Sequence, residues 1–144
     1  MDTITSIQNQ RVKYAKSLQT KARLRRSEMK HVLEGNRLIN DALQRHANPD
    51  FALYTPDNAD YDLIARLQEK KCELYPVSED VLKHVSDTQQ SQGIIGIFFI
   101  PMPPLPKNPQ RILIMDSIRE PGNMGTILRT AGAAGVDLVI LSSG

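Results

Sequence analysis

The chain has 144 residues, enough for one typical domain or for a small domain with part of another. Its 40% hydrophobic and 24% charged residues are those of a soluble globular protein, and with few aromatics and no Trp the core must be Leu, Ile and Val. The net charge is only +2, the single cysteine excludes an internal disulfide framework or a Cys-cluster zinc site, and the longest apolar run, residues 94–100, falls far below the roughly 20 residues of a membrane span.

The first predicted element is a helix over residues 11–27, capped by Asn9. Val12, Ala15, Leu18 and Ala22, with Leu24, form its apolar stripe, and its basic side chains lie mostly off that stripe. Residues 1–46 carry ten basic against four acidic side chains, a net +6, whereas residues 47–110 carry −4 and residues 111–144 balance. A basic front end suits a polyanion partner, although a solvated amphipathic helix would look the same. Lys21, Arg23, Arg25, Arg26, Lys30 and Arg37 are the candidate phosphate contacts.

His31-Val32-Leu33-Glu34 reads as a short strand. Gly35, which tolerates positive φ, turns it into a second helix with Leu38, Ile39, Ala42 and Leu43 apolar, ending near His46. Residues 51–54 read as a strand closed by the turn Thr55-Pro56-Asp57-Asn58. A third helix follows over residues 60–70, with Tyr61, Ile64 and Leu67 inward. Lys71-Cys72-Glu73-Leu74-Tyr75 reads as a strand that stops before Pro76, with Cys72 structural. Ser78 caps a short fourth helix through Val85, and residues 93–100 form the last strand of this half. The alternation predicts an α/β sandwich around a largely buried sheet.

Residues 101–109 contain five prolines and read as a semi-rigid linker. The pattern then restarts. Residues 111–116 read as a buried parallel strand, residues 123–134 as a helix ended by Gly135, and residues 136–141 as a second strand. This is one βαβ unit. Alone it cannot bury both faces of a parallel pair, so the second domain is expected to be incomplete. The organisation expected is thus residues 1–100, a linker over 101–109 and a partial domain over 110–144. No basic region followed by an apolar stretch marks the start, so a soluble, cytoplasmic protein is expected, with no membrane partner.

The informative segment is Asp116-Ser117-Ile118-Arg119-Glu120-Pro121-Gly122-Asn123-Met124-Gly125-Thr126-Ile127-Leu128-Arg129-Thr130-Ala131. It joins the carboxyl end of a strand to the start of a helix, the edge where open α/β sheets bind ligands. Free backbone N–H groups there favour an anion, and the fork of Arg129 suits a phosphate. The spacing is neither the G-x-G-x-x-G fingerprint nor a P-loop. On the residues alone a plainer reading stands beside this one. Asn123 would merely cap the helix, and Arg129 would pair with Glu120 or Asp116. His31, His46 and His84 share no metal-ligand spacing, so no metal is expected.

The run over residues 120–131 resembles the first motif of the SpoU/TrmH methyltransferases. The front half resembles that family's substrate-binding domain in Ile7, Asn9, Lys21, Arg23, the segment Glu34-Gly35-Asn36-Arg37-Leu38-Ile39, and Gln92-Gly93-Ile94. One departure is Glu120, where Asp is common. The resemblance implies methyl transfer from S-adenosylmethionine to a ribose 2′-hydroxyl of rRNA or tRNA. It implies a ribosomal-protein-like α/β sandwich followed by a SPOUT-type knotted, parallel-sheet domain, truncated here to its first βαβ unit, and a homodimer for the complete protein. It places the family's motif asparagine on Asn123 and its catalytic arginine on Arg129. It leaves the cofactor pocket to motifs expected after Gly144, so the 144-residue fragment is expected to be inactive alone. With RNA as the partner, the scarcity of aromatics points to recognition by RNA shape. The alternative is a non-catalytic RNA-binding module of ribosomal-protein type, which leaves residues 116–131 without a purpose. A nucleotide-binding regulatory fragment would lack a phosphate lysine and a ribose-binding acid.

Overall fold

The computed structural model describes residues 2–88, 92–102 and 104–142. They divide into two compact units, Met1–Pro101 and Met102–Gly144.

In the first unit the elements run α1 (Gln10–Thr20), α2 (Ala22–Glu28), β1 (Lys30–Glu34), α3 (Asn36–Gln44), β2 (Pro49–Tyr54), α4 (Tyr61–Glu69), β3 (Glu73–Pro76), α5 (Glu79–Val85) and β4 (Ile94–Phe99). The sheet order is β1-β4-β2-β3. β4 pairs antiparallel with both β1 and β2, and β2 pairs parallel with β3.

Strand alternation sends side chains to two cores. Phe51 and Leu53 of β2 and Ile95 and Ile97 of β4 meet Val12, Ala15 and Leu18 of α1 and Val81, Leu82 and Val85 of α5. On the opposite face Ala52, Ile94 and Phe98 meet Ile39 and Leu43 of α3 and Leu63, Ile64 and Leu67 of α4. The unit is therefore a three-layer sandwich with its central strands covered on both sides. Gly96 shares a face with Phe98, and a Cβ on Gly96 would stand 2.7 Å from Phe98 Cε2. The missing side chain is the space that the ring occupies.

Local chemistry sets the element ends. Asn9 Oδ1 accepts from Arg11 N, Asp60 Oδ1 from Asp62 N and Leu63 N, and Ser78 Oγ from Val81 N. Gly35 has φ 96° and ψ 150°, a region reserved for glycine, and a Cβ there would also meet the Gln92 amide.

Three expectations are corrected. The helix predicted over residues 11–27 is two helices, broken at Lys21 with φ −112° and ψ 100°. Arg25 Nη1 donates to Leu18 O at 2.7 Å and Gln19 O at 2.9 Å, tying the second helix to the open end of the first. Ala22 is consequently exposed rather than part of the stripe. Tyr61 is 72% exposed, whereas Leu63 and Ile64 of the same turn are the residues that face the core. The strand predicted to stop before Pro76 includes it and starts after Cys72. β3 is an edge strand, so Pro76 lacks only a donor that would face outward. Its carbonyl accepts from Ile4 N at 2.8 Å, and Ser78 N donates to Ile4 O at 3.0 Å. Cys72 is buried, which pushes its thiol up to about 12 and makes it a poor nucleophile.

His31 on β1 packs against Phe98, ring centroids 6.2 Å apart, and its Nδ1 is buried without a hydrogen-bond partner among the described residues. Burial lowers its pKa below the ordinary value. The unfolded chain therefore takes up a proton below about pH 6.5 that the folded chain refuses. The stability tied to the neutral ring is present above that pH and lost as pH falls through the lower, folded pKa. Urea midpoints are expected to drop between about pH 7 and about pH 5, and His31→Gln should flatten that drop. An identical pH profile in the variant would refute the assignment.

The second unit is one βαβ crossover. β5 (Ile112–Met115) and β6 (Leu138–Leu141) are parallel, with Ile112 opposite Leu138, and α6 (Pro121–Ala133) connects them. Asp137 accepts from Gln110 N at 2.8 Å and Arg111 N at 2.9 Å, which fixes the start of β5. The sheet face that carries Ile112, Ile114 and Ile140 is open, with these residues 50%, 68% and 44% exposed. Among the described residues no helix is long and apolar enough to cross a membrane.

Candidate functional site

At the carboxyl edge of the second unit, Asp116 follows β5 and Ser142 follows β6. Ser142 Oγ donates to Asp116 Oδ1 at 2.6 Å, Ser117 Oγ donates to the same oxygen at 3.2 Å, and Ser117 N donates to Ser142 Oγ at 3.0 Å. The Ser142 bond, then the Ser117 bond, hold the Asp116 carboxyl below the usual carboxylate range. This fully charged group tethers the two strand ends to each other.

The helix that leaves this edge is capped by Glu120, whose Oε1 accepts from Gly122 N at 3.2 Å, with Pro121 at the first helical position. The capping role considered for Asn123 thus belongs to Glu120. Asn123 lies inside the first turn, exposed, with no side-chain hydrogen bond among the described residues.

Arg129 folds back toward the start of its helix, as long helical side chains do. Its Nη2 donates to Thr126 Oγ1 at 3.2 Å, and Thr126 Oγ1 donates to Gly122 O at 3.0 Å. Its Nη1 lies 3.4 Å from where a Gly125 Cβ would stand. No ion pair joins it to Glu120 or Asp116 among the described residues, so the pairing considered from sequence is not formed. The result is an exposed guanidinium anchored by a hydroxyl and open to an anion from solvent. Sequence reasoning missed Thr126. Its i,i+3 spacing to both Asn123 and Arg129 is the signal that marks it.

The six basic residues of the first unit do not behave alike. Lys30 Nζ pairs with Asp50 Oδ2 at 2.8 Å, sits over the Tyr14 and Phe99 rings at 5.4 and 5.0 Å, and its side chain is 15% exposed. Burial opposes its charge, but the hydrogen bonds to Asp50 and Tyr14 prevail and raise its pKa. Arg25 is engaged with the end of α1. Lys21, Arg23, Arg26 and Arg37 are exposed and have no side-chain partner among the described residues. The first three surround α2. Arg37 lies in the first turn of α3, whose buried residues pack on the opposite face of the sheet.

Residues 9–96 match the MRM3-like substrate binding domain. Over 144 residues the chain is 33% identical to the 23S rRNA (guanosine(2553)-2'-O)-methyltransferase RlmP of Bacillus subtilis, covering 100% of this chain and 56% of that protein. The chain belongs to the SpoU/TrmH family of RNA methyltransferases. The human mitochondrial rRNA methyltransferase 3 is 35% identical over 131 residues, 83% of this chain and 30% of that protein. An rRNA methyltransferase from Sinorhizobium meliloti superimposes with a TM-score of 0.79 at 30% identity, over 97% of this chain and 54% of that one. An AdoMet-bound rRNA methyltransferase from the same organism gives 0.77 at 29% identity. The SpoU/TrmH chain described here spans about half the length of its bacterial relatives and less of the mitochondrial one.

The described residues do not by themselves fit a nucleoside cofactor. Asp116, Ser117 and Ser142 are exposed and bond to one another rather than lining a recess. A cavity of about 330 Å³ lies along α6 instead, lined by Leu113, Ile127, Ala131 and Val136 among others, and it offers no charged group to a sulfonium.

Proposed function

We propose that this chain supplies the RNA-holding domain and the opening βαβ unit of an rRNA ribose 2′-O-methyltransferase that uses S-adenosylmethionine. The observation that carries the reading is Arg129, held by Thr126 on the helix that leaves the carboxyl edge of the sheet and unpaired with any acid among the described residues. A guanidinium stays protonated, so its role is electrostatic rather than that of a base. It holds the phosphate next to the target ribose and stabilises the 2′-oxygen as negative charge develops on it. Asn123, exposed in the first turn of the same helix, orients that ribose. The cofactor pocket is built by residues other than those described, and the complete protein works as a homodimer. The module reading is not favoured, because the Bacillus subtilis alignment runs through all 144 residues, the Arg129 segment included.

Lys21, Arg23, Arg26 and Arg37 are the phosphate contacts, while Arg25 and Lys30 serve the fold. Four contacts predict a slope of roughly −3 for log affinity against log salt on single-stranded RNA. Anisotropy titrations of the 144-residue chain test this, together with calorimetry in which S-adenosylmethionine should show no tight stoichiometric binding. A flat salt dependence would sink the RNA role of the first unit. Tight cofactor binding would sink the division of labour between these residues and the pocket.

A further inference from the structure

A hollow of about 410 Å³ opens where α1 breaks into α2, lined by Lys21, Ala22, Arg23, Leu24 and Ser27. Its floor is apolar. Leu24 is rooted in the core beside α1, and Ala22 is exposed above it. Lys21 and Arg23, also part of its lining, are exposed and without side-chain partners among the described residues. α2 buries no residue of its own, so the hollow faces outward. The Arg25 bonds to Leu18 O and Gln19 O fix the angle between the helices and therefore the shape of the hollow.

We propose that this hollow seats one unstacked base of single-stranded RNA, with Lys21 and Arg23 holding the phosphates on either side. The inference rests on the RNA reading of the first unit and specifies how that unit holds its substrate. Charge complementarity selects the occupant. An apolar floor between two cations matches a flat base flanked by two anions, a pattern that an aliphatic peptide or a second copy of this basic helix does not present. The Ser27 hydroxyl is already engaged with Leu24 O at 3.1 Å, leaving little to read a base edge. The seat therefore accepts any base, as sequence-tolerant single-strand sites do. It also departs from recognition by RNA shape alone.

The test uses the 144-residue chain and three probes of equal length: a single-stranded RNA, a ribose-phosphate backbone without bases, and an RNA duplex. The baseless backbone should bind about tenfold more weakly than the single strand, the order expected from losing one desolvated apolar contact. Ala22→Leu fills the hollow with a good helix former at an exposed position. It should weaken the single strand about tenfold, leave its salt slope unchanged and leave duplex binding alone. Lys21→Ala with Arg23→Ala should instead reduce the magnitude of that slope by roughly 1.4. Equal binding of the baseless backbone, no effect of Ala22→Leu, or an equal effect on the duplex each overturns the seat while the RNA reading stands. A wild-type chain that binds no RNA overturns both. A dimer seen by sedimentation and dissolved by Ala22→Leu would assign the hollow to a second copy and overturn the proposal.

Discussion

Arg129→Ala is expected to slow methyl transfer by about 10²–10³-fold in the whole protein, the usual cost of removing one donor aimed at developing negative charge. RNA affinity of the first unit should not change, because α6 belongs to the other unit. The geometry explains why the loss should be this large. Among the described residues the guanidinium is not neutralised by a carboxylate, and it is not left to wander, since Thr126 Oγ1 accepts from Nη2 at 3.2 Å. Arg129→Lys should recover little, because an ammonium lacks the fork that grips a phosphate. Thr126→Val should cost less than Arg129→Ala, as it loosens the arginine without removing its charge. Single-turnover methylation with saturating RNA is the measurement. An Arg129→Ala enzyme within tenfold of wild type would refute the role.

The largest stability effect is expected at Phe98. Phe98→Ala should cost about 3–5 kcal/mol in urea unfolding, the range for emptying a fully buried aromatic site. That is a large share of the total for a domain of this size. The ring is 0% exposed and lies over the gap left by Gly96, against Ile39. Gly96→Ala should cost about 1–3 kcal/mol by overpacking, since its new methyl would meet Phe98 Cε2. Pairing Gly96→Ala with Phe98→Leu should cost less than the two singles summed, because the smaller side chain yields the space. Strict additivity would mean that the two positions do not share that volume.

What could be read from sequence was mostly what is decided within a few residues. Gly35, Ser78 and the β5-α6-β6 crossover stood out because a turn, a cap and an apolar run are local events. The misses depend on partners distant in sequence or on competition among neighbours. Lys30 looked like any other cation of the basic front, yet Asp50, twenty residues on, folds beside it. The helix break at Lys21 follows from Arg25 reaching back to carbonyls that a continuous helix would have consumed. Asn123 and Glu120 were both able to cap. Pro121 decided between them by taking the first helical position. Arg129 was identifiable by its motif, but the hydroxyl that aims it was not singled out.

The sheet order also bears on when the first unit can fold during synthesis. β4 is the last strand of that unit to leave the ribosome, yet it occupies the sheet interior between β1 and β2. A nascent chain that ends before Ile94 has β1 without any partner strand, and α1 and α3 facing cores that lack Ile95, Ile97 and Phe98. Such distant pairing folds slowly and leaves apolar surface exposed to chaperones meanwhile. Once Phe99 has cleared the exit tunnel the unit can close in one step, while the residues of the βαβ unit are still being made.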